Sequence, residues 1–215
     1  MYKTVRINNA EQGSEEWHRA RAGIFTASKA GDLMARQKNG KPYASRKDYI
    51  TQIALERVTG ELPEQITSAA MLEGIEREKQ SKLAYEFKTG RELEDTGLWY
   101  ADFFGASPDA LIVGENGGVE FKNPKSSTHY KTLKTGIVPE TYYWQILQNL
   151  LVTGKDFWEY VSYHPSFPLN SQLFIKTIKR EDVIDDIANL ALELSKANEE
   201  ANEEVAFINE YKEPE

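Results

Sequence analysis

The chain has 215 residues, of which 40% are hydrophobic, 11% aromatic and 28% charged, a composition that excludes a disordered tail, a collagen-like repeat and a coiled-coil rod. It holds no cysteine, which excludes disulfides, zinc–thiolate sites, iron–sulfur clusters and cysteine nucleophiles. The net charge of −8 is unevenly spread: residues 1–60 carry 11 Lys and Arg against 6 Asp and Glu, whereas residues 180–215 carry 3 against 12.

No repeat or linker divides the sequence, so one domain over residues 1–215 is expected. Ser14-Glu15-Glu16-Trp17 reads as a helix start, and Thr26 or Ser28 is placed to cap a second helix. Ser45-Arg46-Lys47-Asp48 resembles a capping box opening a third helix that ends near Gly60. A long helix is predicted from about Thr67 to Thr89, stopped by Gly90, because Leu72, Ile75, Leu83, Tyr85 and Phe87 fall among charges without strict alternation. Strand signals then gather at Gly97–Ala101, Ala110–Val113 and Val119–Phe121. Helices return after Pro124. Pro139-Glu140 opens one whose apolar stripe, Tyr142, Ile146, Leu147, Leu150 and Leu151, ends at Gly154. Strands are expected at Phe157–Tyr163 and Leu173–Ile178, and an acidic amphipathic helix from Arg180 to about Tyr211. The order of elements implies an α/β (α+β) fold, a central mixed β-sheet flanked by helices. The opening Met1–Arg6 lacks an apolar core of the secretory kind and no apolar run is long enough to span a bilayer, so a cytoplasmic location is expected.

The most informative stretch is Ser107-Pro108-Asp109 followed, after ten residues, by Glu120-Phe121-Lys122. With a hairpin turn at residues 114–117 and Val113 opposite Gly118, Ala110 faces Phe121 and Asp109 faces Lys122. Strand alternation then sets Asp109, Glu120 and Lys122 on one face. Two close carboxylates repel unless a cation or proton lies between them, and oxygen donors of this kind suit Mg²⁺. Lys122 is placed to orient or help deprotonate an attacking water and to balance charge on a phosphorane-like transition state, which describes phosphodiester hydrolysis. The short pattern alone is also that of a Lys–Glu–Asp salt-bridge cluster on a solvent-facing hairpin. Likewise Arg36, Lys38, Lys41, Arg46 and Lys47 make either a grip for a polyanion or a solvated basic face.

These residues resemble the PD-(D/E)XK nucleases, and among them the phage-type alkaline exonucleases of the lambda exonuclease/YqaJ recombinase group. Trp17-His18-Arg19-Ala20-Arg21-Ala22-Gly23-Ile24-Phe25-Thr26-Ala27-Ser28 is similar to that group's N-terminal signature, which implies that Arg21 and Ser28 line a pocket for the substrate's terminal 5′-phosphate. Gly74-Ile75-Glu76-Arg77-Glu78 resembles the helical segment whose glutamate, here Glu78, approaches the metal. Tyr143-Trp144-Gln145 resembles the downstream helix whose glutamine, Gln145, reaches the reacting phosphate. The sequence departs from the group at Ala110, where glycine is common, and at Asn123; neither change removes a ligand. The resemblance implies a restriction-endonuclease-like core with Asp109, Glu120 and Glu78 as metal ligands and Lys122 and Gln145 beside them. It implies Mg²⁺, replaceable by Mn²⁺ and bound as two ions, and 5′ to 3′ digestion of one strand of linear duplex DNA to mononucleotides. The expected product is a 3′ overhang for recombination. The implied partners are double-stranded DNA ends, a single-strand annealing protein and two further copies of the chain in a ring trimer. The implied setting is a phage or prophage in the cytoplasm of a bacterial host. Arg36, Lys38 and Lys41 are then candidates for tracking the DNA backbone. Two other readings stand beside this one: an endonuclease on the same core, and a non-catalytic DNA-end-binding recombination adaptor.

Overall fold

In the computed structural model, which describes residues 5–61 and 69–212, two mixed sheets are held between helices. Strand β1 (Arg6–Asn8) leads to helix α1 (Glu15–Arg21), whose first turn is capped by Ser14 accepting from the Trp17 amide. Strand β2 (Phe25–Thr26) and a 3₁₀ turn over Ala27–Lys29 precede the short α2 (Ala30–Met34) and the longer α3 (Ala44–Thr59). Helix α4 (Ala69–Thr89) is followed by β3 (Leu93–Glu94), β4 (Leu98–Ala101), β5 (Phe104–Ala106), β6 (Ala110–Ile112) and β7 (Gly117–Lys122). Helices α5 (Ser126–Thr135) and α6 (Glu140–Thr153), strands β8 (Phe157–Tyr163) and β9 (Leu173–Lys179), and helix α7 (Ile184–Asn209) complete the chain.

The first sheet runs β1-β4-β5-β2 and the second β3-β6-β7-β8-β9, with β7 and β8 parallel and the remaining pairs of the second sheet antiparallel. Segment 107–109 carries the chain from one sheet to the other, which puts Asp109 at their junction. Helix α6 packs on one face of the second sheet through the fully buried Ile146, Leu147 and Leu150, each stabilising the fold by about 1.5–3 kcal/mol. On the other face Tyr85 of α4 meets Phe121 edge-on at 5.7 Å, among Ala110, Ile112, Val119 and Val161. Ile187, Leu190, Leu194, Ala197 and Ala201, spaced by three and four, bury one stripe of α7 against α3 and α6.

The expected helices and strands are found, with differences. Helix α3 starts behind Tyr43 rather than at Ser45, which lies inside its first turn, and of the apolar residues on α4 Tyr85 is buried while Leu83 and Phe87 face outward. The expected start of α4 at Thr67 lies outside the described residues, as do the side chains of Leu72 and Ile75. The sheet is divided in two, the short β1, β2 and β3 are additional strands, and so is β5. It is reached through the tight turn Asp102-Phe103, where Asp102 takes a φ of +46°, a left-handed conformation that aspartate tolerates better than most residues. Among the described residues no helix is long and apolar enough to cross a membrane.

Candidate active site

Strands β6 and β7 pair Ala110 with Val119 and Leu111 with Gly118, so the register, carried on by one residue, sets Asp109 opposite Glu120. This corrects the expected pairing of Asp109 with Lys122. The turn occupies residues 113–116, because Gly117 and Gly118 belong to the strand. A Cβ on Gly117 would come within 2.3 Å of the Phe157 ring, and one on Gly118 within 2.4 Å of the Trp158 ring. The glycines are there to admit those rings from β8. A slip of two residues keeps every side chain on its face, and Asp109, Glu120 and Lys122 still converge.

Glu120 is buried, 1% exposed. Its Oε1 accepts from Lys122 Nζ at 2.6 Å and from Gln145 Nε2 at 2.5 Å, and its Oε2 accepts from Asn149 Nδ2 at 2.9 Å. Asp109 Oδ2 accepts from the Phe121 amide at 2.7 Å. Burial, and after it the neighbouring Glu120 carboxylate, push Asp109 well above the usual carboxylate range, against the pull of Lys122. Burial by itself lowers Lys122, but Glu120 and Asp109 outweigh it and hold the ammonium above its ordinary value. Lys122 Nζ also lies 5.3 Å from the centre of the Tyr142 ring, which stacks on Tyr160 at 5.8 Å.

Glu78 stands further off. It pairs with Lys82 at 3.3 Å on its own helix, and Lys82 reaches Asp95 at 3.1 Å, yet Glu78 is near enough to contribute to raising Asp109. Among the described residues no three of Asp, Glu and His meet at the spacing of a metal cage. The carboxylates that meet are the pair Asp109 and Glu120, with Glu78 at the edge. Gln145 in this arrangement orients Glu120.

Arg21 ends α1 and turns toward the same junction. Its Nη1 donates to Ser107 Oγ at 3.2 Å and its Nη2 to Ser28 Oγ at 3.5 Å, while its guanidinium lies 4.0 Å from the centre of the Trp17 ring. Trp17 Nε1 donates to the same Ser107 hydroxyl at 3.2 Å. Burial lowers Arg21: among the described residues this half-buried cation has hydroxyls for its hydrogen-bond partners, and an anion would serve it better. Ser28 lies in the 3₁₀ turn ahead of the five-residue α2, too short a helix to add much dipole. The loop is braced from behind. Glu56 accepts from the Gly23 amide at 2.8 Å, and Arg57 donates to the Gly23 carbonyl at 2.8 Å and onward to Asn198 and Asn202 of α7.

The basic candidates part company. Arg36 donates to the Leu33 and Ala35 carbonyls and pairs with Glu193 of α7 at 2.7 Å, its side chain 32% exposed, so its guanidinium is engaged by groups of the fold. Lys38 and Lys41 are exposed on the loop closed by the Arg36–Pro42 bridge. His129 and His164, distant in sequence, have ring centres 6.0 Å apart. His129 is held by Ser162 Oγ and the Ser171 carbonyl, both at 2.8 Å. Four participants escaped sequence reasoning. Ser107 and Trp17 sit inside motifs already singled out but had no role, Tyr142 reads as core, and the one signal for Asn149 is its place one turn beyond Gln145.

The chain is similar to known exonucleases in sequence and fold. The alkaline exonuclease LHK-Exo from Laribacter hongkongensis is 33% identical, with a TM-score of 0.80 over 91% of this chain and 96% of that one. The same enzyme in complex with dAMP matches at 34% identity and a TM-score of 0.80, with the same coverage of both chains. A phage-related exonuclease from Haemophilus somnus 129PT, 14% identical, shares the fold at a TM-score of 0.62 over 86% of this chain and 96% of that one. No curated protein matches the chain. The model of the YqaJ-like viral recombinase domain matches residues 16–156, and the chain belongs to that family, a homologue of an alkaline exonuclease.

Proposed function

We propose that this chain is a divalent-cation-dependent 5′ to 3′ exodeoxyribonuclease of the PD-(D/E)XK type. It digests one strand of linear duplex DNA to mononucleotides, prefers 5′-phosphorylated ends, and leaves 3′ overhangs for recombination by strand annealing. One observation carries the reading: the hydrogen bond from Arg21 to Ser107 ties an anion-seeking guanidinium to the loop that presents Asp109, two residues on. A terminal phosphate held by Arg21 and Ser28 sets the first phosphodiester beside Asp109, Glu120 and Lys122. The complex of LHK-Exo with dAMP supports a mononucleotide product.

The residues suit a hard divalent ion. Two carboxylates share a buried site with one ammonium, which leaves negative charge uncompensated, and oxygen donors favour Mg²⁺ or Mn²⁺. Asp109 and Glu120, joined by Glu78, would hold it, as one or two ions. Bound there, the metal supplies Lewis-acid stabilisation of the attacking and leaving oxygens. Lys122, kept protonated by the two acids, stabilises charge on the phosphoryl oxygens as a cation rather than acting as the base. Gln145 keeps Glu120 in place, and Arg21 orients the end.

Linear duplex labelled at either end of one strand, with and without a 5′-phosphate, tests this beside a Lys122→Ala control. Release of the 5′ label as mononucleotide with Mg²⁺, abolished in the control, is the expected result. Nicking of covalently closed circles would favour an endonuclease, and stable binding to ends without release would favour a non-catalytic adaptor. The proposal includes the ring trimer and an annealing-protein partner; a sedimentation mass of one chain at assay concentration would refute the ring.

A further inference from the structure

Helix α6 turns three buried amides toward the interior of the protein, Gln145, Gln148 and Asn149, amid Ile146, Leu147 and Leu150. Two are accounted for. Gln148 donates to the Phe25 and Gly105 carbonyls at 2.8 and 2.9 Å and so fastens α6 to the first sheet, which accounts for its amide although its Oε1 is also without a partner among the described residues, and Gln145 belongs to the site already described. Asn149 is 0% exposed and reaches no solvent. Its Nδ2 donates to Glu120 Oε2, and its Oδ1 is buried with no hydrogen-bond partner among the described residues. An unpartnered buried carbonyl is a cost that a leucine here, like the neighbouring Leu150, would avoid. Something other than packing accounts for the amide.

Acceptor counting on Glu120 indicates what that is. A carboxylate offers about four lone-pair sites. Lys122 and Gln145 take those of Oε1, and Asn149 takes one of Oε2. The remaining site is on Oε2. We infer that Asn149 is a positioning residue: it fixes the plane of the Glu120 carboxylate so that one lone pair of Oε2 stays directed to a divalent cation. Gln145 and Asn149, one helical turn apart, hold the two oxygens separately, and the carboxylate cannot rotate without breaking one of these bonds.

The inference rests on the proposed metal-dependent reading, and the experiment separates the two. The full-length, metal-stripped protein is titrated with Mn²⁺ by calorimetry and by the loss of the free-ion paramagnetic resonance signal, for wild type, Asn149→Leu and Gln148→Leu. Asn149→Leu keeps the branched outline of the side chain, removes the donor and also removes the orphaned carbonyl. Its expected Mn²⁺ affinity is about 10-fold weaker or more, with a melting temperature near wild type and kcat reduced at unchanged KM for DNA. Gln148→Leu is expected to melt lower and bind Mn²⁺ as wild type does. Should Asn149→Leu fail to fold, Asn149→Ala is titrated in its place with the same expectation. If wild type binds no Mn²⁺, the metal-dependent function falls and this inference with it. If wild type binds and the folded Asn149 variant binds equally well, this inference alone is overturned. Equal weakening by Gln148→Leu would also overturn it, since the loss would then belong to a loosened helix.

Discussion

Replacing Arg21 with methionine should separate recognition of the DNA end from cleavage of the strand. Methionine keeps an apolar stem over Trp17 and removes the guanidinium, which now rests 4.0 Å from that ring and is shared between Ser107 Oγ at 3.2 Å and Ser28 Oγ at 3.5 Å. A terminal phosphate would exchange these long, neutral-acceptor bonds for charge-assisted ones. Two such bonds are worth about 3–6 kcal/mol against about 1–3 kcal/mol for the pair given up, a net gain of about 2–3 kcal/mol. That corresponds to a loss of about 30- to 150-fold in kcat/KM on 5′-phosphorylated duplex. On 5′-hydroxyl duplex the same variant should change little, because the lost interaction is not made there. Single-turnover digestion of both substrates by wild type and variant closes a double cycle whose coupling term is the quantity of interest. Arg21→Lys should recover part of the factor, since an ammonium brings charge without the planar fork. An equal loss on both substrates would refute the reasoning, because the guanidinium would then serve the fold or the cleavage step and not the terminal phosphate.

Other consequences are independent of that pocket. Gly118→Ala drives a Cβ to within 2.4 Å of the buried Trp158 ring, and should cost at least about 2 kcal/mol, seen as a fall of roughly 4–8 °C in melting temperature; an unchanged melt would mean that the ring has room to yield. Arg91 pairs with the buried Glu159 at 2.8 Å, which also accepts from Tyr85 and Thr177. Arg91→Met strands that carboxylate and should lower stability by about 2–3 kcal/mol in urea denaturation, the partial exposure of Arg91 softening the loss. Burial holds His129 below its ordinary 6.5, against the pull of the Ser171 carbonyl, so the unfolded chain takes up the proton first. Stability from this site is whole above about pH 6.5 and is lost as pH falls through the folded-state value; His129→Gln should show a shallower decline below pH 6.5 in urea midpoints, and a parallel decline would acquit His129. Lys38→Ala and Lys41→Ala should each flatten the salt dependence of DNA binding by about one unit of log–log slope, whereas Arg36→Ala should act chiefly on the melting temperature.

Much of the site was legible because strand alternation is forgiving. The hairpin pattern placed its turn one residue too late, which shifts the register by two, yet an even slip preserves the face, so Asp109, Glu120 and Lys122 meet as alternation requires. Why the register slips lies outside the hairpin: the Phe157 and Trp158 rings come from β8, some forty residues on, and no local signal announces them. Strand β5 was hidden for a related reason. Its turn uses Asp102-Phe103 in place of the glycine-bearing pairs that mark tight hairpins. At α3 a capping pattern at Ser45 competed with a helix that begins behind Tyr43 without a side-chain cap, because packing of Tyr49, Ile50 and Ile53 sets where the helix lies.

Charge was the least legible quantity, since composition counts ions and says nothing of their partners. The basic run from Arg36 to Lys47 looks like one surface, but the fold divides it by side-chain type. Arg36 pairs with Glu193 at 2.7 Å and Arg46 grips Glu200 through two bonds of 2.8 and 2.7 Å, while Lys38, Lys41 and Lys47 stay exposed. The division follows the chemistry of the groups. A guanidinium loses little freedom in a fixed fork with a carboxylate, whereas a lysine ammonium on its flexible stem keeps its hydration and remains available to a diffuse polyanion. The acidity of α7 is thereby partly explained: Glu193 and Glu200 staple the N-terminal segments to the C-terminal helix, and part of the negative charge serves to hold the fold together. The positive charge that a nucleic acid would meet is what is left after this pairing, a quantity fixed by tertiary structure and invisible in the net value of −8.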